Sequence, residues 1–341
     1  MSEAVRHPFA SPPAEGKAIE VQDGILWLRL PLPMTLNHVN VYALDDAAGW
    51  TIVDTGIASQ RSRAIWGQLL AGPLRGRPVH RVVLTHHHPD HVGLVGWFQA
   101  QGAELLATRT AWLFARMLTL DVQDRPTDAA MLFYRRAGLA KADLAQRASE
   151  RPFNFADIVA PMPPGFTRLV EGSRLKAAGR DWTVRLGHGH APDHATLWSN
   201  DGLVLGGDQF LPGISANIGV YPTEPEADPL TDWLQSCRDF QPLVGDAQLV
   251  LPGHQLPFTG LPARLTQMID RHEQALAGLL AHLAVPRAAI DCFAPLFRRE
   301  IGPADFSLAL VETIAHLNCL LQRGLVMRSL SPDGAWIWER R

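Results

Sequence analysis

Cysteine is scarce: three thiols, Cys237, Cys292 and Cys319, stand far apart among 341 residues. An odd, scattered set builds neither a disulfide framework nor a cysteine-rich zinc module. These thiols read as buried small apolar side chains in a reducing compartment. No uncharged apolar run approaches the roughly 20 residues that cross a bilayer. The opening MSEAVRHPFASPPAEGK lacks the apolar core of a secretory signal, so a cytoplasmic protein is expected. An excess of one charge is missing too. The 31 Lys and Arg face 34 Asp and Glu, a net −3 that gives no bulk reason to bind nucleic acid.

What the chain has is histidine in clusters. Of 14 histidines, eight fall in three short loops: 86, 87, 88 and 91; 188, 190 and 194; and 254. Each loop follows an apolar stretch that reads as a strand, the place where α/β architectures put their working residues. The first loop, His86-x-His88-x-Asp90-His91, carries four metal-type side chains in six residues. Neutral imidazole is a common metal ligand and carboxylate adds a hard anionic oxygen. In extended chain, alternate side chains share a side, so His86 and His88 can grip one ion together. A turn into a helix then re-aims Asp90 and His91 towards a second point.

The surrounding pattern is α/β. Residues 1–18 are Pro- and Ala-rich and read as a loosely held lead-in. Strands are expected at Ile25–Leu30, Val39–Leu44, Trp50–Val53 and Val82–Leu84, and helices at Ser59–Ala71 and Val92–Gly102. Residues 104–165 break this rhythm, and Ala107–Ala148 has few strand formers and a helical spacing of apolar side chains, which predicts a helical insertion. Strands resume at Arg168–Leu169, Leu175–Ala177, Thr183–Leu186, Ala195–Ser199, Leu203–Leu205 and Leu249–Leu251, with a helix at Pro229–Phe240. Two halves of strands and helices, each ending in a His/Asp loop, suggest an αββα sandwich over 19–261. From 262 to 341 the pattern is three helices (263–284, 287–299, 305–323), then two short strands around Pro332-Asp-Gly334. That is a winged-helix pattern.

His86-x-His88-x-Asp90-His91 after an apolar strand resembles the signature motif of the metallo-β-lactamase superfamily. Gly189-His190, Gly206-Gly-Asp208 and Pro252-Gly-His254 resemble its later motifs, in family order, and Ile52-Val-Asp54-Thr-Gly56 its early Asp-Thr-Gly turn. The motifs span about residues 25–260. The tail resembles that of the hydrolases grouped near glyoxalase II. The resemblance implies that His86, His88 and His190 hold a first metal. Asp90, His91 and His254 would hold a second, with Asp208 bridging. Two divalent ions roughly 3.5–4 Å apart can share a water and lower its pKa from 15.7 to about 7, supplying a bridging hydroxide at neutral pH. Asp90 is then ligand and orienter of that nucleophile, and a candidate proton shuttle. With no cysteine near the site, the donors suit zinc, with manganese or iron as alternatives.

Other residues stay open between two roles. Asp54 reads either as a hydrogen-bond partner of a ligand histidine or as a turn residue. His87 should point away from the ligands, and His188 should cap or pack locally. His194, four residues beyond His190, is a candidate catalytic group facing the pocket, as the resemblance implies. Asn40, within Asn37-His38-Val39-Asn40, resembles a pocket-rim residue or is part of a polar turn. Phe210 and Leu211, just past Asp208, are expected to offer apolar contact to an acyl group.

The leading functional reading is hydrolysis of a thioester of the acyl-glutathione or acyl-CoA type, with a small-molecule ester or thioester as substrate. It follows from the glyoxalase-like resemblance and from a helical insertion large enough to cover an acyl chain. A lactone or lactam is a further substrate class. A metallo-nuclease or phosphodiesterase using the winged helix is the alternative. Residues 263–341, however, hold nine Lys and Arg against eight Asp and Glu, no electrostatic footprint for nucleic acid. A structural role or a homodimer contact suits that module better. An iron-dependent oxygenase is a third reading, but such relatives use fewer or altered ligands and this chain keeps all seven.

Overall fold

The computed structural model describes residues 5–297 and 299–341. The chain forms strands β1 (Ile19–Gln22), β2 (Ile25–Pro31), β3 (His38–Asp46) and β4 (Gly49–Val53), helix α1 (Gln60–Ala71) and strand β5 (Val79–Val83). Helices α2 (Pro89–Val92) and α3 (Val95–Gln99), strand β6 (Glu104–Thr108) and helices α4 (Arg109–Leu120), α5 (Asp128–Ala137) and α6 (Lys141–Ser149) come next. Strand β7 (Thr167–Leu169) completes a seven-stranded sheet in sequence order. Strands β8 (Arg174–Ala177), β9 (Arg180–Gly187), β10 (His194–Ser199), β11 (Leu203–Gly207) and, beyond helix α7 (Pro229–Phe240), β12 (Leu249–Pro252) form a second sheet, ordered β12-β11-β10-β9-β8.

Alternation along the strands builds three apolar layers. On β2, Ile25 and Trp27 face inward to meet Trp182, Val184, Leu197 and Leu205 of the other sheet. Their neighbours Leu28 and Leu30 face outward, onto Trp66 and Leu69 of α1 and Phe98 of α3. Val204 and Val250 of the second sheet face Trp233 and Leu234 of α7. This is the αββα sandwich. The C-terminal module has helices α8 (Leu261–His282), α9 (Phe293–Phe297) and α10 (Phe306–Gln322) and the hairpin β13 (Val326–Leu330) with β14 (Trp336–Arg340). Leu265 of α8, Leu317 of α10 and Trp338 of β14 belong to the same buried cluster as α7, so the module shares a core with the second sheet.

Strand direction decides where the site lies. β4 and β5 run parallel, as do β11 and β12, and β9 runs with β11 because both are antiparallel to β10. Asp54, the His86–His91 loop, His190, Asp208 and His254 therefore all follow the C-terminal ends of co-directed strands, along one edge.

Several expectations need correction. The helix expected at Val92–Gly102 breaks into α2 and α3. Gly93 is pressed onto the Asp54-Thr-Gly turn, where a β-carbon would lie 2.4 Å from Gly56 O, and Leu94 N–H donates to Thr55 Oγ1 (3.0 Å). The helical insertion expected over about 104–165 opens with strand β6, because Leu105 and Leu106 bury on opposite faces of the first sheet. The expected helix at 287–299 is a 3-10 turn, Ala289–Cys292, followed by the five-residue α9. The lead-in lies partly outside the described residues. From residue 5 it is held: Arg6 and Thr259 exchange backbone hydrogen bonds of 3.2 and 2.9 Å, and Phe9 packs edge-on against Trp27. All three cysteines are buried thiols. Among the described residues, no helix is long and apolar enough to cross a membrane.

Candidate metal centre

The loop after β5 stays extended through His86 and His88 and turns at Pro89, the first residue of α2. Proline suits that position, where its missing N–H costs nothing. The turn places His86 and His88 on one side and swings Asp90 and His91 to another. His190 comes in from the loop after β9. His86 Nε2, His88 Nδ1 and His190 Nε2 then form a triangle with edges of 3.0, 3.0 and 3.3 Å. Tetrahedral nitrogen ligands about 2.0–2.1 Å from zinc stand about 3.3 Å apart. The triangle fits one ion.

The second group is as close. Asp90 Oδ2 lies 3.5 Å from His91 Nε2 and 3.3 Å from His254 Nε2. Asp208 stands between the groups, with Oδ1 3.4 Å from His91 Nε2 and Oδ2 3.3 Å from His254 Nε2 and 3.5 Å from His190 Nε2. Three overlapping sets of donors converge: His86, His88 and His190; His86, His91 and Asp208; Asp90, His91 and His254. His91 Nε2 and Asp208 Oδ1 are buried with no hydrogen-bond partner. Such atoms are costly unless something is meant to bind them. The donor set fits divalent cations.

The outward nitrogens are committed. His91 Nδ1 donates to Asp54 Oδ2 (2.8 Å), His190 Nδ1 to Asn217 O (2.8 Å), and His254 Nδ1 to His38 O (2.7 Å). His86 Nδ1 meets the Thr85 hydroxyl (3.0 Å), which itself donates to Asp54 Oδ2 (2.8 Å). A ring that donates outward from Nδ1 presents its Nε2 lone pair inward, which is how outer partners orient metal histidines. Electrostatics separates the two groups. Burial and neighbouring imidazoles hold His86 and His88 well below the usual histidine range. Burial opposes charge on His254 too, but Asp208 and Asp90 outweigh it and lift it to about 10. Asp208 is correspondingly held well below the carboxylate range by His254 and His91 against the pull of burial.

Three residues expected at or around the pocket are buried. His194 is fully buried at the start of β10 and stacks on His86 with ring centroids 4.6 Å apart. Its Nε2 accepts from the Asp208 backbone N–H (3.1 Å), so it props the Asp208 loop from behind. Phe210 is fully buried between Trp198 and Phe240, because the chain dives into the core directly after Gln209. Asn40 is buried as a clamp. Its Nδ2 donates to Pro252 O (3.0 Å) and Gln255 O (2.9 Å), flanking His254, and its Oδ1 accepts from Arg29 Nε (3.1 Å). His87 turns away from the triangle and packs against Phe114 of α4, and His188 accepts from Asp193 N–H at the surface. Thr85, Tyr42, whose hydroxyl donates to Pro252 O (2.9 Å), and the carbonyls of His38 and Asn217 were not legible as site groups. A backbone carbonyl leaves no signature in a sequence, although Thr85 adjoins the motif.

The sequence profile of the metallo-β-lactamase superfamily matches residues 34–254, and that of the metallo-β-lactamase-like C-terminal domain matches residues 276–341. The chain is 26% identical over 309 residues to the probable metallo-hydrolase YqjP of Bacillus subtilis (strain 168), covering 87% of this chain and 92% of that one. Among solved structures it is similar to a β-lactamase domain protein from Burkholderia ambifaria, with 36% identity, a TM-score of 0.90, and 99% and 98% of the two chains covered. A metallo-β-lactamase family protein from Thermus thermophilus matches with 28% identity and a TM-score of 0.78, over 94% and 100% of the chains. The chain belongs to the metallo-β-lactamase superfamily.

Proposed function

We propose that this chain is a binuclear metal-dependent hydrolase whose substrate is a small thioester with an apolar acyl group. The convergence of seven donor side chains into three overlapping groups, centred on Asp208, carries the reading. His86, His88 and His190 would hold one divalent ion and Asp90, His91 and His254 another, with Asp208 within reach of both groups. Zinc suits these nitrogen and oxygen donors, with manganese or iron as alternatives. Ions bound there supply a water of lowered pKa and polarise a carbonyl oxygen.

The chain's own residues do the rest. Asp90 has the more exposed of the two central carboxylates, 19% against 9% for Asp208, so it can take up a proton and pass it to solvent. Asp54 and Thr85 hold His91 and His86 in orientation, and His194 fixes the Asp208 backbone. Helix α4 exposes Leu113, Met117 and Leu120, and its Phe114 packs on His87, which lies between two of the triangle residues in sequence. That strip of apolar surface favours an acyl chain over a phosphodiester backbone. The test is metal content by elemental analysis, with hydrolysis of a thioester, lactone and phosphodiester panel by the wild type and Asp208→Ala. Two ions per chain and a thioester activity lost in the variant is the expected result. A wild type that holds ions but cleaves only phosphodiesters would discard the substrate assignment.

A further inference from the structure

The stretch 209–228 that follows Asp208 forms neither helix nor strand, yet it carries the carbonyl that orients His190. Backbone groups unpaired within such a loop must be satisfied from outside it. Here the C-terminal module does so. Arg264 of α8 donates from Nε to Leu211 O (2.6 Å) and from Nη2 to Ile214 O (2.7 Å), and Arg271 reaches Gly213 O (3.1 Å). On α10, Val311 O accepts from Val220 N–H (3.1 Å), and Asn318 Nδ2 donates to Pro225 O (3.0 Å) and Ala227 O (2.9 Å).

Asn217 lies midway along this seam. Its backbone O accepts from His190 Nδ1 (2.8 Å), while its Nδ2 donates to Glu312 Oε2 (2.8 Å) and to Leu308 O (3.2 Å), both on α10. Glu312 forms no ion pair among the described residues. It lines a polar cavity of about 300 Å³ with Ser215, Arg271, His272 and His316, and burial raises its carboxyl to about 7. An acid placed there without a cation is unfavourable for stability alone. What it provides is an acceptor for the Asn217 amide, one that strengthens where the carboxylate is ionised.

We propose that Glu312 is a positioning residue for the metal centre: by fixing Asn217, it sets the carbonyl that turns His190 Nε2 towards His86 and His88. The C-terminal module thereby orients a ligand whose own strand lies in the other part of the chain. The inference rests on the reading of His86, His88 and His190 as the ligands of one ion.

The test uses the full-length chain stripped of metal, titrated with zinc against a chromophoric chelator, with the melting temperature of the stripped protein measured in parallel. Glu312→Ala should weaken zinc binding about tenfold, the lower end of what outer partners of metal histidines contribute. Glu312→Gln keeps an acceptor for Asn217 Nδ2 and should restore affinity to within about threefold, a few tenths of a log unit above the mutational scatter. Asn217→Asp keeps the backbone carbonyl but loses the side-chain donor, and should match Glu312→Ala with little further loss when the two are combined. Unchanged affinity in Glu312→Ala overturns the proposal. So does a loss matched by an equal fall in the melting temperature of the stripped protein, which would mark a merely structural role. A wild type that binds no zinc would instead overturn the metal centre, and the proposal with it.

Discussion

A β-carbon on Gly253 would lie 2.2 Å from Asp208 Oδ1 and 2.9 Å from His91 Cε1. Gly253→Ala should therefore displace the Asp208 carboxylate. The fold's core lies elsewhere, so the expected result is a folded protein with ions lost and activity down about 100-fold, as for a displacement of about 1 Å at a reacting centre. Elemental analysis with circular dichroism decides it; full metal content would contradict the geometry. Asp54 acts one step further out. It adopts a φ of +62°, which L residues rarely hold, and accepts from Thr85 N (2.9 Å), Thr85 Oγ1 (2.8 Å) and His91 Nδ1 (2.8 Å). Asp54→Ala frees the His91 ring, and a 10- to 100-fold weaker metal affinity is expected, to be read by chelator competition. At this scale the sequence was informative where side chains themselves converge. All seven donors stood out because their residue types and spacing are chemically unusual. Proximity in sequence does not say which way a side chain turns: His194 and Phe210 turn into the interior, while Asn40 holds the carbonyls on either side of His254. A turn after β11, closed by Gln209 N–H on Gly206 O (3.1 Å), leaves Asp208 facing the other donors while Phe210 enters the core.

At the scale of elements, period and length served well where an element buries one face. Strands β2, β3 and β4 and helices α1 and α7 fall within two residues of expectation. The failures share a cause. Strand β6 was hidden inside a helical-looking stretch, and α2 and α3 are divided by a packing contact from the Asp54 turn that no local pattern encodes. The loop 209–228 is the extreme case, since its conformation depends on partners more than 40 residues away. Arg264 is the main one, fully buried with its guanidinium on Leu211 O and Ile214 O. Arg264→Met keeps the apolar stem and leaves those carbonyls unpaired. It should cost roughly 3 kcal/mol, since each unsatisfied buried group costs about 1–3 kcal/mol. A urea midpoint equal to that of the wild type would show that the loop holds itself.

Across the whole molecule nine histidines fall into two sets with opposite effects on stability. Burial holds His86 and His88 well below 6.5, His87, His194 and His272 at about 3, and His38 and His316 at about 4. Each is neutral when folded and takes up a proton once unfolded. Below pH 6.5 the unfolded state therefore binds more protons, and stability falls with falling pH. His91 and His254 behave in the reverse way. Burial opposes their charge, but Asp208 and the carboxylates around it hold His91 well above 6.5 and His254 at about 10. Their contribution is complete below pH 6.5 and is lost as pH rises through about 10. The metal-stripped chain should thus be most stable near pH 6.5, with decline on both sides. Ions bound at Asp90, His91 and His254, as proposed, would displace those two protons, so a loaded protein should keep the acid decline and lose the alkaline one. Urea midpoints of stripped and loaded protein across this range measure both limbs. A stripped chain that grows steadily more stable above pH 6.5 would mean that His91 and His254 hold no protons between the carboxylates, and that metal uptake at neutral pH releases none.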